Sequence, residues 1–429
     1  MKKIVIVGGG FAGLNAAKKF GNKKDYQVTL IDRRNHHLFQ PLLYQVAMAG
    51  LSPSDIAMPI RSLLAKYKNI KVLLGNAQKV DARNKKVICD IGEYEYDYLL
   101  MACGARHCYF GHEEWEEFAP GLKTLNQATE IRRRVLSAFE KAESSTDPEV
   151  RKRAMTFVIV GAGPTGVELA GAIGEMSRFT LARDFKNIDA RLTRIILIEH
   201  GPRILAAFDE DQSARATRDL EKLGVQVWTS SPVTEIDESG VKIGDERIHS
   251  DTVLWAAGVE ASRLGQSLET EADRSGRVHV REDLSVKEYP DVFVAGDQAH
   301  FDAGDGKILP GMAPVAMQQG KYFAEMIIAR DNGRDIGPFK YFDKGKMATV
   351  GRSKAIAQTG KLKLNGFPAW LAWLFVHILY LTGFRNRLFV VIQWGWSYLF
   401  FKRGSRLIVG KQWRFYDHET KKKLDTSGD

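Results

Sequence analysis

Ile4-Val5-Ile6-Val7-Gly8-Gly9-Gly10-Phe11-Ala12-Gly13 is the stretch on which the reading of this sequence turns. Four apolar residues in a row read as a buried strand, the glycines as a tight turn, and residues 14–20 as a helix. Val28-Thr29-Leu30-Ile31-Asp32 follows as a second strand closed by an acid, with Arg33 beside it. Each element has a physical task. Gly8 permits the turn, Gly10 lets the backbone approach a pyrophosphate, and Gly13 lets helix and strand pack closely. The helix start at Phe11 and Ala12 offers N–H groups to phosphate oxygens. Asp32 stands about 20 residues on, where a carboxylate accepts hydrogen bonds from ribose hydroxyls.

The same unit recurs. Phe157-Val158-Ile159-Val160-Gly161-Ala162-Gly163-Pro164-Thr165-Gly166-Val167-Glu168 repeats the strand, glycine spacing and helix start, and Ile195-Ile196-Leu197-Ile198-Glu199 repeats the strand ending in an acid. One glycine motif alone also fits an ordinary strand-to-helix turn. Two copies, each with its terminal acid, point to a flavoprotein that oxidises a nicotinamide cofactor: non-covalent FAD in the first site, NADH as substrate in the second. Glu199 favours NADH, because the 2′-phosphate of NADPH would meet a carboxylate where an arginine is wanted. Arg203 lies close in sequence and leaves that discrimination open.

The remaining composition sets bounds. A chain of 429 residues with 44% hydrophobic residues has room for two or three domains. A net charge of +10 calls for an anionic partner: nucleic acid, lipid head groups or anionic cofactors. Cys89, Cys103 and Cys108 are too few and too clustered for a disulfide framework, so a reducing compartment is expected. Only Met1-Lys2-Lys3 precede the first strand, so no leader peptide is expected, and any membrane work is done from one side. The histidines, His36, His37 and His300 among them, show no metal-ligand spacing, and no metal is expected.

With these motifs the chain resembles the two-dinucleotide-binding-domain flavoproteins, in which an NADH domain interrupts the FAD domain. The expected fold is therefore α/β, with two Rossmann-type domains. The FAD domain takes residues 1–112 and 259–340, the inserted NADH domain 113–258, and a C-terminal membrane-associating helical segment 341–429. Tyr98-Leu99-Leu100-Met101-Ala102-Cys103-Gly104 and Val253-Leu254-Trp255-Ala256-Ala257-Gly258 match the strands that end the first FAD segment and the NADH segment. Both depart from the family's Ala-Thr-Gly, with Cys103 and Ala257 at the threonine position. Ala102, Gly104, Ala257 and Gly258 join the cofactor contacts on this resemblance. Val292-Phe293-Val294-Ala295-Gly296-Asp297 resembles the late FAD motif, whose aspartate holds the sugar moiety of the cofactor. The region 39–47 lacks the cysteine pair of disulfide reductases, and the clustered cysteines do not suit sulfide:quinone chemistry.

The closer resemblance, over essentially the whole chain, is to type II NADH dehydrogenases, single-subunit NADH:quinone oxidoreductases that pump no protons. It rests further on Pro310-Gly311-Met312-Ala313-Pro314-Val315-Ala316-Met317-Gln318-Gln319-Gly320 and on Tyr341-Phe342-Asp343-Lys344-Gly345-Lys346-Met347-Ala348-Thr349. Many members carry glutamine where this chain has Pro314, so that quinone contact does not transfer. The resemblance implies an FAD contact at Ala316, quinone contacts at Met317, Gln318, Lys344 and Met347, and a catalytic set of Glu168, Gln318 and Lys344. Glu168 reads equally as a carboxylate on a helix dipole. Rival readings keep the fold: a reductase of a soluble iron–sulfur protein, or a flavin-bearing protein that senses NADH. No nucleic-acid module is visible.

From residue 367 the composition changes. Residues 367–381 and 388–401 are apolar and aromatic, with Arg385 and Arg387 between them and Lys402-Arg403-Gly404-Ser405-Arg406 behind. Each run is shorter than the roughly 20 residues of a spanning helix. Tryptophan and tyrosine beside cationic residues suit a membrane–water interface. The expectation is a peripheral, monotopic protein on the cytoplasmic face of the cell membrane. Core or homodimer-interface helices are the alternative.

Overall fold

The computed structural model of the protein describes residues 1–400 and 405–409. Of the basic flank, Lys402, Arg403 and Gly404 lie outside the described residues. Strand β1 (Lys2–Val7), helix α1 (Phe11–Phe20) and strand β2 (Tyr26–Asp32) form the first unit. A short helix α2 (Leu43–Ala47) and strands β3 (Ile70–Leu74) and β4 (Tyr98–Met101) follow. Helix α3 (Leu125–Ser144), opened by Thr124 accepting from the Gln127 N–H, leads into the second unit. That unit is β5 (Thr156–Val160), α4 (Pro164–Glu175), β6 (Arg194–Ile198), β7 (Val225–Trp228) and β8 (Thr252–Trp255).

The chain then returns to the first sheet. Strand β9 (Val292–Val294) pairs with β4, giving the all-parallel order β9-β4-β1-β2-β3. The second sheet, β7-β6-β5-β8, is also parallel. Helices cover such sheets on both faces, which is why residues 4–7 and 157–160 read as unbroken apolar runs; all eight are buried. Helix α5 (Ala313–Asp331) crosses α1 so closely that a Cβ on Gly320 would stand 2.1 Å from the Ala12 carbonyl oxygen. Only glycine allows that crossing.

Beyond it, β10 (Lys346–Thr349), β11 (Ala355–Thr359) and β12 (Leu362–Asn365) make an antiparallel sheet. Helices α6 (Gly366–Tyr380) and α7 (Phe384–Phe400) follow. On α6, Ala369 and Trp373 point inward and are buried, while Phe367, Leu371, Phe375 and Leu379 form an exposed stripe at four-residue spacing. Leu388, Ile392 and Trp396 make a like stripe on α7. The inner sides belong to the main core: Trp373, Leu381 and Val390 share one cluster with Phe157, Ile159 and Val167. Among the described residues no helix is long and apolar enough to cross a membrane.

One buried charge ties these regions together. Arg132 on α3, only 8% exposed, donates Nε to the Val46 carbonyl (2.8 Å), Nη2 to Leu51 (3.1 Å) and Nη1 to Ser405 (3.1 Å). The Val46 carbonyl belongs to the negative end of α2, so helix and cation suit each other. The Ser52 and Ser405 hydroxyls meet at 3.1 Å beside it.

Candidate functional site: two nucleotide loops and an aromatic bridge

The two glycine loops are built alike. Gly8 has φ +105° and Gly161 φ +98°, a region that disfavours side chains. A Cβ on Gly8 would lie 2.3 Å from the Ala102 oxygen, and one on Gly161 2.6 Å from the Ala257 nitrogen. Gly13 and Gly166 press on the carbonyls of Gly8 and Gly161, where a Cβ would stand at 1.8 and 1.9 Å. Gly10 and Gly163 differ: a Cβ there meets no protein atom within 4 Å and would project into the mouth of the loop. The first intrahelical bonds are Leu14 N–H to Gly10 (3.0 Å) and Val167 N–H to Gly163 (3.1 Å). Each loop thus pairs a cradle that a side chain would fill with the first-turn amides of a helix, the chemistry a pyrophosphate needs.

The terminal acids reach back onto these loops. Asp32 accepts from the Gly9 N–H (2.6 Å) and the Arg34 N–H (2.7 Å), while Glu199 accepts from Ala162 (2.7 Å) and Gly201 (2.8 Å). Their carboxylates are fixed beside each cradle with lone pairs left over for hydroxyls. Arg203 is committed elsewhere, donating to the carbonyls of Phe208 and Ala206 and to the Ser213 hydroxyl. It is not poised for a 2′-phosphate. Replacing Glu199 with Gln is therefore expected to narrow the preference for NADH over NADPH by about tenfold, the scale of one hydrogen bond to a charged group. Steady-state kinetics with both nucleotides check this; equal use of both by the unaltered protein would contradict the assignment.

The late motif closes on the first loop. Gly296 (φ +72°) sits against Ala316, and its N–H donates to Gln319 Oε1 at 2.7 Å. Asp297 lies beside Gly311 and 3.4 Å from Lys123 Nζ. The start of α5, with Pro314 in its first turn, faces the same corner. Asp32, Asp297, Ala316 and the Gly8–Gly13 loop therefore surround one site that fits FAD. Gln298, which accepts from the Cys103 N–H (2.7 Å), Gln319 and Lys123 were not singled out by sequence. The two glutamines lie within or next to the late FAD and 310–320 motifs; Lys123 carried no signal. Burial pushes the Cys103 thiol up to about 12, which suits packing rather than redox chemistry. His37 is buried and neutral, held down at about 4, with Nδ1 3.0 Å from the Gly9 oxygen.

Glu168 lies on the first turns of α4, where burial raises its carboxyl to about 8 and the Thr349 N–H partly offsets that. It remains protonated well above the usual carboxylate range. Thr349 Oγ1 meets the Tyr44 hydroxyl at 3.2 Å, and Gln45 Nε2 donates to the same hydroxyl at 3.0 Å. Gln45 Oε1 in turn accepts from the Trp394 indole at 2.7 Å. Rings complete the bridge: Tyr44 packs edge-on to Trp373, Trp373 stacks on His377 at 4.2 Å, and His377 meets Phe39, which touches Phe11. Of the quinone candidates, Gln318 exchanges two 3.0 Å hydrogen bonds with the Phe342 backbone, and Lys344 donates to the Tyr380 hydroxyl at 2.5 Å. Both therefore hold the 341–345 segment against α5 and α6. Met347 packs on the core and Met317 is half-buried beside Gln318.

Fold and loops together define an oxidoreductase with two dinucleotide sites. Residues 2–320 match the family described as pyridine nucleotide-disulphide oxidoreductase. Over 426 residues the chain is 44% identical to the type II NADH:quinone oxidoreductase Ndh of Mycobacterium tuberculosis, covering 96% of this chain and 91% of that protein. It is 29% identical over 376 residues to the type II NADH:quinone oxidoreductase of Staphylococcus aureus, covering 86% and 92%. NDH2 of Plasmodium falciparum, solved with NADH, shares the fold with a TM-score of 0.86 over 95% of this chain and 100% of that one, at 21% identity. The chain belongs to the type II NADH:quinone oxidoreductases.

Proposed function

We propose that this protein oxidises NADH through FAD and delivers the electrons to a quinone while docked on an anionic membrane surface by α6 and α7. FAD, when bound, supplies the hydride-accepting and electron-passing chemistry. The protein's role is to hold the nucleotides by their loops and acids, and to keep a neutral Glu168 beside the second loop. Transfer of a hydride requires no catalytic base.

The observation that carries the reading is the bridge from Glu168 through Thr349, Tyr44 and Trp373 into α6, whose opposite face is an exposed apolar stripe. Nucleotide chemistry and a lipid-suited face are the two sides of one short path. Charge supports the same docking: between Asp343 and Asp417 the sequence has thirteen Lys and Arg and no Asp or Glu. This one segment carries more positive charge than the net +10 of the whole chain. A soluble iron–sulfur acceptor or a purely sensory role leaves that face unexplained. The docking side is taken as cytoplasmic, and pairing of α6 and α7 between two copies is the rival use of the face.

Purified protein with NADH and, in turn, a quinone, ferricyanide and oxygen tests the acceptor. We expect Gln318→Ala and Lys344→Ala to slow quinone reduction about tenfold while single-turnover bleaching of the flavin by NADH keeps its rate. Equal loss in both half-reactions would place these residues in FAD binding instead.

A further inference from the structure

Two tryptophans, Trp373 and Trp394, meet at a tilt of 37° between α6 and α7, with ring centroids 5.4 Å apart, and their indole N–H groups have different fates. Trp394 Nε1 donates to Gln45. Trp373 is only 2% exposed, and its Nε1 is buried with no acceptor among the described residues. A donor left so is costly, and buried donors are otherwise nearly always paired. The polar groups around it are already engaged. The Tyr44 hydroxyl meets Thr349 and Gln45, Gln45 Oε1 accepts from Trp394, and His377 Nδ1 is 2.7 Å from the Trp373 carbonyl oxygen. Burial holds His377 down at about 4, so no charge competes for the place.

We propose that the Trp373 indole N–H is the hydrogen-bond donor to a quinone ring carbonyl. The surroundings describe the ligand class. Tyr44, His377 and Trp394 enclose the indole with rings, which suits a flat, apolar ring. The unsatisfied group is a neutral donor, which suits a molecule whose polar atoms are acceptors only. An oxidised quinone has both properties. The position fits as well: Trp373 lies on the inner face of α6, with the exposed Leu371 and Phe375 on the helix's other side. On the protein side it is joined through Tyr44 and Thr349 to Glu168. The head group reaches it by parting the ring pairs Trp373–Trp394 and Trp370–Tyr398 that join the two helices. This inference rests on quinone being the acceptor and names the residue that recognises its oxidised carbonyl.

The test uses the full chain with FAD, menadione as the quinone, and two replacements. Trp373→Phe keeps a ring but leaves space. Benzothienylalanine incorporated at Trp373 keeps the indole shape and deletes only the N–H. Both are expected to raise KM for menadione about three- to tenfold, the worth of one neutral hydrogen bond. Reduction of ferricyanide by NADH should keep its rate. The isostere should melt no lower than the unaltered protein without quinone, because it removes a donor that has no partner in the fold. Trp394→Phe should melt lower, because its donor is satisfied by Gln45. An isostere with unchanged KM overturns the proposal, as does one that melts clearly lower, since the N–H would then serve the fold. Failure of the unaltered protein to reduce menadione would remove the quinone reading itself, a result distinct from either.

Discussion

Replacing Phe375 and Phe389 with glutamate is expected to release the protein from anionic vesicles while its NADH-driven reduction of ferricyanide continues. Both side chains are on outward faces, Phe375 69% and Phe389 52% exposed, so their loss leaves no hole in the core. Burying a phenylalanine side chain in an apolar medium contributes about 1.5–3 kcal/mol. Losing two weakens membrane partition by about two to four orders of magnitude, before repulsion between the new carboxylates and the lipid is counted. Reduction of long-tailed quinones embedded in the vesicles should fall with the bound fraction. Flotation on vesicles with and without anionic lipid measures the first effect, and paired acceptor assays the second. A doubly substituted protein that still floats, or an unaltered one that never does, would remove the membrane face and return the stripes to the dimer reading. Substitution is a sharper instrument here than deletion of the helices, because Trp373, Leu381 and Val390 belong to the central core.

The second large effect separates the two nucleotide loops. An alanine at Gly13 would drive its Cβ to 1.8 Å from the Gly8 carbonyl oxygen, and one at Gly166 to 1.9 Å from that of Gly161. These are backbone atoms that no rotamer change can move aside, so each loop must open. Gly13→Ala is expected to purify nearly colourless and inactive, with FAD held too weakly to survive isolation. Gly166→Ala should stay yellow but lose NADH oxidation by roughly a hundredfold, the scale of an ångström's misplacement of reacting groups. Flavin absorbance of the two proteins, followed by bleaching with NADH, distinguishes them. Loss of colour in the Gly166 variant would mean that the second loop supports flavin binding, or that the whole protein fails to fold.

What could be read from the sequence was local. Glycine spacing, the strand before it and the acid after it all lie in one continuous stretch, residues 4–32 in the first unit and 157–199 in the second, and each acts through its own backbone. Asp32 and Glu199 accordingly stand beside the loops that the spacing assigned them. The bridge was not legible. Thr349 meets Tyr44 across 305 residues, and Trp394 meets Gln45 across 349. No period or motif links such partners: Trp373 and His377 read only as members of an aromatic run suited to a membrane–water interface, and Tyr44 carried no signal of its own. Gln318 shows the opposite difficulty. Its place in a motif marked it for quinone contact, yet its amide is occupied by the Phe342 backbone, so any effect it has passes through the 341–345 segment.

The guanidinium of Arg132 also sets an order of events in biosynthesis. Two of its three acceptors, Val46 and Leu51, precede it in the chain, whereas Ser405 is synthesised 273 residues later. At about 5–20 residues per second, that interval is roughly 15–55 seconds on the ribosome. The second nucleotide loop, Gly161 to Gly166, is made within it, while the cation still lacks one partner. The Ser405 carbonyl arrives only after α6 and α7 have been made, so the clasp closes last. A nascent chain therefore carries both nucleotide loops before the last partner of this buried cation has been made.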